Sequence, residues 1–301
     1  MNFADSLADG HLAIFLFHGV VDGGDYAVRN YTRKHIAAEV FDSFLSTLCR
    51  SGQPISMNDV VELKWRNDPY PGRSFAITFD DGFENNLSVA APLLRKHKVP
   101  ATFYVTTGFI GTNRMSWIDR IEWAFEQVGA LAIRVPWSRA PCQAADAAAK
   151  KRLLDEIRKE VKSDPGLEPD AFASDVQTQL GFDETHCGDG PLDLKLTWDQ
   201  VRALDKDPLF TVGGHSHTHA ILSFLDAEAL ERELDTSLGL LEAKAGISTS
   251  HYSYPEGLAH CYSNTVIDAL RRRGIVCCPT AEPGTNDSNI DLFHLKRIAV
   301  T

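Results

Sequence analysis

The stretch between Ser74 and Thr107 constrains the fold of this chain more than any other. An apolar run leads into Thr78-Phe79-Asp80-Asp81-Gly82, a helical pattern follows from Glu84 to His97, and a β-rich run begins at Pro100. Strand, turn, helix and strand in this order predict a parallel crossover, because parallel strands cannot be joined by a short hairpin. The chain should therefore contain a parallel sheet covered by helices.

Apolar runs and helical patterns continue to alternate along most of the chain. Five further strands are expected, at 11–17, 210–214, 250–254, 275–278 and 292–300. The clearest helices are expected at 34–51, 56–65, 226–245 and 262–273. With the two strands above, these make seven strands and predict an α/β fold. The pattern favours a parallel barrel, whose functional groups lie at the carboxyl ends of the strands.

The stretch at about 130–197 differs from the rest of the chain. It contains two amphipathic helical patterns, Ala144 to Lys162 and Asp170 to Leu180, followed by loop-like composition up to Leu192. Since it holds few large apolar residues for a core of its own, we expect an insertion that decorates a single domain spanning 1–301. The role of this insertion stays open at this point.

The charge and the cysteine content disfavour several classes of function. The 301 residues carry a formal net charge of -11, which argues against binding to nucleic acid or to anionic membrane surfaces. A thiolate zinc site is not expected either, because no CxxC pair occurs among the six cysteines: Cys49, Cys142, Cys187, Cys261, Cys277 and Cys278.

The N-terminal region bears on localisation. Met1 to Gly10 contains two Asp and no Lys or Arg, so it lacks the basic segment of a secretion signal. The apolar run Leu12 to Phe17 is too short to span a bilayer. We therefore expect a cytoplasmic protein without a transmembrane segment, although a secreted chain that has lost its leader would have the same sequence.

Two adjacent carboxylates, Asp80 and Asp81, follow the strand that precedes the crossover helix. Ionised side by side, they raise each other's pKa unless a cation lies between them. A cation would take one as a ligand and leave the other free to act as a base. The alternative is an ordinary polar turn, since Asp-Asp-Gly is common turn composition.

A histidine cluster, His215-Ser216-His217-Thr218-His219, follows the strand expected at 210–214. On one helical turn His215 and His219 would face the same side, and two imidazoles at this spacing recur in zinc sites. The alternative is a solvated polar loop. Two histidines and one carboxylate fill three positions and leave one open, as in catalytic metal sites.

Three motifs together resemble the polysaccharide deacetylase family, carbohydrate esterase family 4. Residues 78–82 resemble its first motif, 215–219 its second, and Ser253-Tyr254-Pro255-Glu256-Gly257 its third, in a resemblance that runs from Leu12 to Val300 outside the insertion. It implies a distorted (β/α)7 barrel that removes N-acetyl groups from an amino sugar of a glycan or glycan precursor. It also implies a divalent metal, zinc foremost, with Asp80 as general base and three ligands: Asp81, His215 and His219.

Two positions depart from the common family pattern. Many members carry an Arg where this chain has Ser253, and the resemblance implies that Arg297, in Leu295-Lys296-Arg297-Ile298, takes its role. Many members also carry a late Leu-x-His acid, and His294 is displaced from that register. Phe17-His18-Gly19-Val20 resembles a variant with the acid at the end of the first strand, so His18 is expected to be the general acid. A purely structural strand-end histidine is the alternative.

The third motif is expected to contact substrate or the oxyanion through three residues: Tyr254, Pro255 and Gly257. Two other functions stay open. One is a small-molecule amidase or deformylase on the same fold, since one fold hosts several chemistries. The other is a non-catalytic carbohydrate-binding relative, which the joint presence of both aspartates and both histidines disfavours.

Overall fold

The structure is a computed structural model that describes residues 3–112, 114–183 and 188–301. The chain forms two compact units. The barrel unit comprises Met1–Gly23, His35–Thr112 and Leu194–Thr301, and the helical unit comprises Gly24–Lys34 and Asn113–Asp193. Cys187 and part of the expected insertion lie outside the described residues. No helix within the described ranges is both long and apolar enough to cross a bilayer.

The described strands are numbered in chain order. They are β1 (His11–Phe17), β2 (Gly19–Val21), β3 (His35–Ala37), β4 (Gln53–Pro54), β5 (Arg73–Phe79), β6 (Ala101–Val105), β7 (Leu131–Ile133), β8 (Cys142–Ala144), β9 (Phe210–Gly214) and β10 (Ile298–Ala299).

The described α-helices are α1 (Ala38–Ser51), α2 (Met57–Arg66), α3 (Ala91–His97), α4 (Trp117–Gln127), α5 (Ala147–Ser163), α6 (Pro169–Gln179), α7 (Trp198–Asp205), α8 (Ala227–Leu240) and α9 (Asn264–Arg272). Two short 3-10 helices cover Phe3–Ser6 and Leu222–Phe224, and two π-helical turns cover Asn86–Ala90 and Leu241–Ala245.

The barrel unit is built on a parallel sheet in the order β10-β1-β5-β6-β9, with β4 also paired to β5. Parallel pairing continues past β9, where Gly214 pairs with Tyr252 and His251 pairs with Cys277. These pairings connect seven successive strand positions in the expected parallel order. The α/β barrel-type fold expected from the sequence is therefore confirmed.

The later strands are shorter than expected. Within 250–254, 275–278 and 292–300 only single bridges and the two residues of β10 pair regularly. Scattered hydrogen bonds replace a continuous ladder: the Cys278 N–H donates to Leu292 O at 3.0 Å and the Thr280 N–H donates to Leu295 O at 2.8 Å. The last backbone bond of the 250–254 segment to β9 is the one from the Ser253 N–H to Gly214 O at 2.9 Å, and Pro255 has no N–H with which to continue the pairing.

A row of phenylalanines fixes the strand ends that carry the expected site. Phe17, Phe79 and Phe103 lie side by side on β1, β5 and β6 in the parallel register. Their rings stack with centroids 5.4 and 5.1 Å apart, and all three are buried. Because Phe17 and Phe79 immediately precede His18 and Asp80, this packing sets the relative height of the two residues that follow.

The helix expected from Glu84 to His97 is divided. A wide turn at Asn86–Ala90 comes first, in which the Ala91 N–H donates to Asn86 O, and α3 follows. Pro92 accounts for the start of α3, because proline has no N–H to donate and is tolerated only in the first turn of a helix. Asn85 and Asn86, where this wide turn begins, both have buried side chains.

The helical unit differs from the expected insertion, because it has a core of its own. Trp117, Ile121 and Phe125 of α4 pack with Leu154 of α5 and Phe172 of α6. Because the insertion was expected to begin at about residue 130, the large apolar residues of α4 were not counted towards its core. The unit also begins at 113 rather than 130, and it includes Gly24–Lys34.

Two glutamates of α4 hold the segment 24–34 within the helical unit. The Glu126 carboxylate accepts the N–H groups of Ala27, Val28 and Arg29 at 2.6–3.0 Å. The Glu122 carboxylate accepts the Asn30 N–H at 3.0 Å. A segment without regular structure thus has its backbone donors satisfied by side chains, which the sequence pattern did not reveal.

Buried His251 predicts that acid destabilises the folded chain. Its side chain is buried, its Nε2 lies 2.7 Å from Asn58 Oδ1, and burial lowers its pKa to about 4. The unfolded chain therefore binds a proton near pH 6.5 that the folded chain refuses until about pH 4, so stability falls as pH drops through this window.

Between pH 7 and pH 5 the wild type should lose about 2 kcal/mol of unfolding free energy through His251. His251→Gln should not show this part of the loss, because glutamine does not titrate. Urea denaturation at the two pH values measures this difference. His260→Gln, at an exposed histidine, is the matched control and should keep the wild-type pH dependence. If His251→Gln loses as much unfolding free energy between pH 7 and pH 5 as the wild type, the burial of His251 does not control acid sensitivity.

Candidate active site

The two acidic and the two histidine candidates lie at the same edge of the sheet. Asp80 and Asp81 follow β5, and His215 and His219 follow β9, with β6 between the two strands. Since β5, β6 and β9 run parallel, their carboxyl ends bring these side chains together.

The turn after β5 has an unusual backbone. Asp81 and Gly82 both adopt left-handed conformations, with φ of 74° and 78°. A Cβ at Gly82 would come 2.9 Å from the Ile110 side chain, so glycine is required there for space as well as conformation. A left-handed aspartate costs free energy, and such residues persist where surrounding contacts hold a functional geometry.

Asp81, His215 and His219 form a cluster that could hold a metal ion. One ligand atom from each lies within 4.8 Å of the others. His219 Nε2 is 3.2 Å and His215 Nε2 is 3.6 Å from Asp81 Oδ1. One carboxylate oxygen and two imidazole nitrogens suit zinc or a similar divalent ion, and three protein ligands leave a fourth position open. The donor set therefore fits the metal that the family resemblance implies.

The histidine loop reaches this geometry differently from the expected helical turn. Ser216 and His219 are left-handed, with φ of 63° and 64°, so residues 215–219 form a bent loop rather than a helix. The Ser216 side chain accepts the His219 N–H at 2.9 Å, and the Ser216 N–H donates to the Tyr252 hydroxyl at 2.8 Å. These bends, and not helical spacing, bring the two imidazoles together.

The tautomer of His215 is set by its other contact. Its Nδ1 donates to the backbone oxygen of Ser253 at 2.9 Å, because a carbonyl oxygen can only accept. The Nε2 lone pair is then directed towards Asp81. Burial lowers the pKa of His215 below its ordinary value, against the opposing effect of Asp80. A neutral imidazole with a free Nε2 lone pair is what metal binding requires.

Asp80 is paired with a buried arginine. Arg297 Nη1 donates to Asp80 Oδ1 at 2.9 Å and Nη2 donates to Oδ2 at 2.8 Å. The guanidinium also donates to Thr280 O at 2.5 Å and to Ser253 Oγ at 2.9 Å. Arg297 thus reaches the carboxylate from just before β10, beside the serine that stands where many family members carry arginine.

The electrostatics keep Asp80 ionised. Burial acts to raise its pKa, but the charges of Arg297, His215 and His18 and the bonds from Arg297 outweigh this effect and hold the pKa below its ordinary value. Asp80 is therefore a carboxylate at neutral pH, with the form that a general base needs.

His18 lies at the carboxyl end of β1, beside the strand that carries Asp80. The Asp80 N–H donates to Phe17 O at 2.9 Å, and the Asn86 side chain donates to His18 O at 2.8 Å. His18 is half-buried, and its charge is among those that lower the pKa of Asp80. The structure thus brings the expected acid into the electrostatic range of the expected base, and its role stays a prediction.

The residues of the third motif that the structure describes make their contacts within the fold. The Tyr254 ring is buried and stacks on Tyr262 at 4.5 Å, and its hydroxyl donates to Phe293 O at 3.2 Å. The Gly257 N–H donates to Pro255 O at 2.7 Å within the turn. The Tyr254 hydroxyl and the Gly257 N–H are therefore engaged within the fold, and the substrate or oxyanion roles expected for this motif stay predictions.

His294 lies beside Tyr262, the ring on which Tyr254 stacks. Its side chain is 46% exposed, with Nδ1 3.4 Å from Asp291 Oδ1, and its ring contacts Tyr262. This arrangement agrees with the displaced register seen in the sequence.

Glu233 of α8 is a site residue that sequence reasoning missed. Its Oε1 accepts the N–H groups of His217 and Thr218 at 2.7 and 2.6 Å and the Thr218 hydroxyl at 3.0 Å. This buried carboxylate fixes the loop that presents His219. The available signal was a glutamate next to Leu234 on the apolar face of the helix, where a charge needs partners.

The sequence was also compared with models of known protein families. Residues 67–278 match the family model described as polysaccharide deacetylase. The chain belongs to the polysaccharide deacetylase family. The match includes both aspartates, both histidines and the third motif.

Individual relatives are more distant. Over 96 residues the chain is 28% identical to the poly-beta-1,6-N-acetyl-D-glucosamine N-deacetylase of Staphylococcus aureus strain N315, which is 32% of each protein. The match thus spans about a third of the length of that curated relative.

Solved structures share the fold over nearly the whole chain. The Streptococcus pyogenes deacetylase PplD, in complex with acetate, is 15% identical, with a TM-score of 0.60 over 97% of this chain and 93% of that one. IcaB from Ammonifex degensii is 17% identical, with a TM-score of 0.59 over 98% and 93%. At these identities the likeness establishes the fold alone.

Exchanging the arginine and the serine between positions 297 and 253 tests whether an arginine at either position can pair with Asp80. Arg297→Ser leaves the buried Asp80 carboxylate without its guanidinium, which should cost about 3–5 kcal/mol of stability. Since Ser253 Oγ lies 2.9 Å from Arg297 Nη2, the double variant Ser253→Arg/Arg297→Ser should recover part of that loss. Urea denaturation of the three variants measures the recovery, with Ser253→Arg alone as the control for overpacking. A double variant no more stable than Arg297→Ser would contradict the exchange.

Proposed function

We propose that this protein is a metal-dependent hydrolase that removes N-acetyl groups from an amino sugar of a glycan. The observation that carries the proposal is the ionised Asp80, held by Arg297 directly beside the Asp81, His215 and His219 cluster. Family membership supports the reaction class. The name of the Staphylococcus aureus relative supports a β-1,6-linked N-acetylglucosamine polymer as the first substrate to test.

Asp81, His215 and His219 would hold the divalent ion, zinc foremost. When bound, such an ion supplies a Lewis acid that polarises an acetyl carbonyl and acidifies a water molecule. The chain prepares this site by keeping His215 neutral through burial and by setting its tautomer through the bond to the Ser253 carbonyl. It also fixes the His219 loop through Glu233.

Asp80 acts as the general base in this proposal. Its ionised carboxylate takes a proton from the water that attacks the acetyl carbon. Arg297 occupies both carboxylate oxygens in the structure, so it fixes the orientation of the base and stabilises its charge before the reaction begins.

His18 acts as the general acid on the other side of the scissile bond. An amine is a poor leaving group unless it receives a proton, and an imidazolium can donate one near neutral pH. Asp80, which is held ionised, cannot supply that proton. The two residues therefore divide the proton transfers, with the base beside the metal ligands and the acid at the end of β1.

The metal site predicts a clear difference between two variants. His219→Ala should lose bound metal, because it removes one of three ligands, whereas Cys278→Ala should retain it, because that thiol is buried and its pKa is raised well above its ordinary value. Elemental analysis of the purified proteins after dialysis measures the metal content. Metal retained by His219→Ala and lost by Cys278→Ala would contradict the ligand assignment.

Acetate release tests the reaction itself. We expect β-1,6-linked N-acetylglucosamine oligomers to release acetate, with loss of release on chelation and recovery on adding zinc. Asp80→Asn should abolish turnover with metal retained, and His18→Ala should reduce amide hydrolysis by about 10²–10⁴-fold. Free N-acetylglucosamine, β-1,4-linked oligomers and formamides are the comparison substrates. Sugar binding without acetate release from any of them would favour a non-catalytic relative, and turnover of formamides alone would favour a deformylase.

A further inference from the structure

The chain after β1 is attached to the region following β5 at three closely spaced points. The Asp80 N–H donates to Phe17 O at 2.9 Å, and the Asn86 side chain donates to His18 O at 2.8 Å. The Val20 N–H donates to Asn85 Oδ1 at 3.2 Å. The backbone on both sides of His18 is therefore held by the same short segment that carries Asp80.

Asn86 makes the one of these bonds that reaches His18 itself. Its side chain is fully buried, and its orientation is determined, because a backbone carbonyl accepts only from the amide nitrogen. The same Nδ2 lies 3.4 Å from Asn85 Oδ1. The amide is thus directed along the backbone of residues 18–20 rather than into solvent.

The amide oxygen of Asn86, Oδ1, differs from the nitrogen in its contacts. Within the part of the chain that the structure describes, its buried Oδ1 accepts no hydrogen bond. A buried polar atom left in this way costs about 1–3 kcal/mol, which an apolar side chain of similar size avoids. The bond to the His18 carbonyl and the Oδ1 without a hydrogen bond therefore have opposite effects on stability, so stability alone does not explain an asparagine at this position. Residues that lower stability in this way are expected where site geometry requires them.

We propose that Asn86 is a positioning residue for His18: its amide fixes the His18 carbonyl and so holds the imidazole at a constant place relative to Asp80. The inference rests on the proposed function in one respect, that His18 donates the proton to the leaving amine. Asn86 touches neither substrate nor metal in this scheme and acts only through the main chain of His18.

The physical effect is one of placement. A proton donor works only when it lies within hydrogen-bond reach of the leaving atom, and a displacement of about 1 Å can cost about 10²-fold in rate. Removing the Asn86 amide frees the His18 carbonyl and lets the strand end shift. The base and the metal ligands, which are held by Arg297, Ser253 and Glu233, keep their positions.

The test compares two acetyl donors that differ in their need for an acid. Asn86→Leu should lower kcat on an N-acetylglucosamine oligomer by about 10–100-fold with little change in KM. Hydrolysis of 4-nitrophenyl acetate, whose leaving group needs no proton, should change less than about threefold. The melting temperature should change little, because leucine removes the Oδ1 that accepts no hydrogen bond together with the bond to the His18 carbonyl. Ser88→Ala, at an exposed residue of the same turn, is the matched control and should leave both rates unchanged.

A double-variant cycle separates this inference from the proposed function. In a His18→Ala background, Asn86→Leu should cause no further loss, because it acts through a group already removed. If the leucine variant fails to fold, Asn86→Asp replaces it in the test. This variant keeps the shape of the side chain but replaces the donor with an acceptor, so it should show the same selective loss of amide hydrolysis.

Three outcomes overturn the inference in distinguishable ways. In the first outcome, His18→Ala slows hydrolysis of the amide more than that of the ester, but the Asn86 variants slow both equally. This outcome overturns the positioning role alone. Additive losses in the double variant do the same. Equal losses on both substrates in His18→Ala itself overturn the acid role of His18, and the positioning role with it, while acetate release by the wild type still supports the deacetylase assignment.

Discussion

The buried ion pair between Arg297 and Asp80 is the interaction on which the rest of the site depends. An isolated carboxylate at the depth of Asp80 would be protonated, and a protonated carboxyl cannot act as a base. The guanidinium also bonds Ser253 and Thr280, so one side chain joins the ends of several strand positions. Buried ion pairs contribute little net stability, because desolvation offsets attraction. This pair is better explained by the charge that it preserves than by the stability that it adds.

Much of the site could be predicted from sequence because its motifs are local. Asp80 with Asp81, and His215 with His219, each lie within a few residues, and the parallel order of strands implied that their ends would meet. Arg297 was found only through its resemblance to a family motif, since 217 residues separate it from Asp80. The place of Glu233 on the apolar face of its helix indicated that the carboxylate needs a partner but did not identify one, and Asn86 gave no chemical signal of its own. A glutamate on a helix and an asparagine after a turn are ordinary at the surface, and only the tertiary contacts reveal their partners.

The helical unit was underestimated for a related reason. A core is shared among segments, and the insertion expected at about 130–197 left out Trp117, Phe125 and the segment Gly24–Lys34. Counting apolar residues within one continuous stretch misses a unit assembled from two. The carboxylates of Glu122 and Glu126, which hold the second segment by its backbone, leave no periodic pattern in the sequence.

Left-handed backbone at Asp81, Ser216, His219 and Glu256 places a local energetic cost in the loops after three strand positions. Such conformations persist only where other contacts determine them. The Glu233 carboxylate and the Ser216 hydroxyl serve the histidine loop in this way. The loop that carries the candidate metal ligands His215 and His219 is thus held by hydrogen bonds to its backbone rather than by regular secondary structure.

The parallel pairing of β1 with β10 has a consequence for how the molecule folds. The two strands are joined in register, Phe15 with Ile298, although nearly the whole chain lies between them. Contacts between residues so distant in sequence carry a large loop-closure cost and form slowly. Because Arg297 directly precedes β10, the guanidinium reaches Asp80 only when that distant pairing is made. On the function proposed above, a chain arrested before this step would hold Asp81, His215 and His219 but would lack the guanidinium that keeps the proposed base ionised.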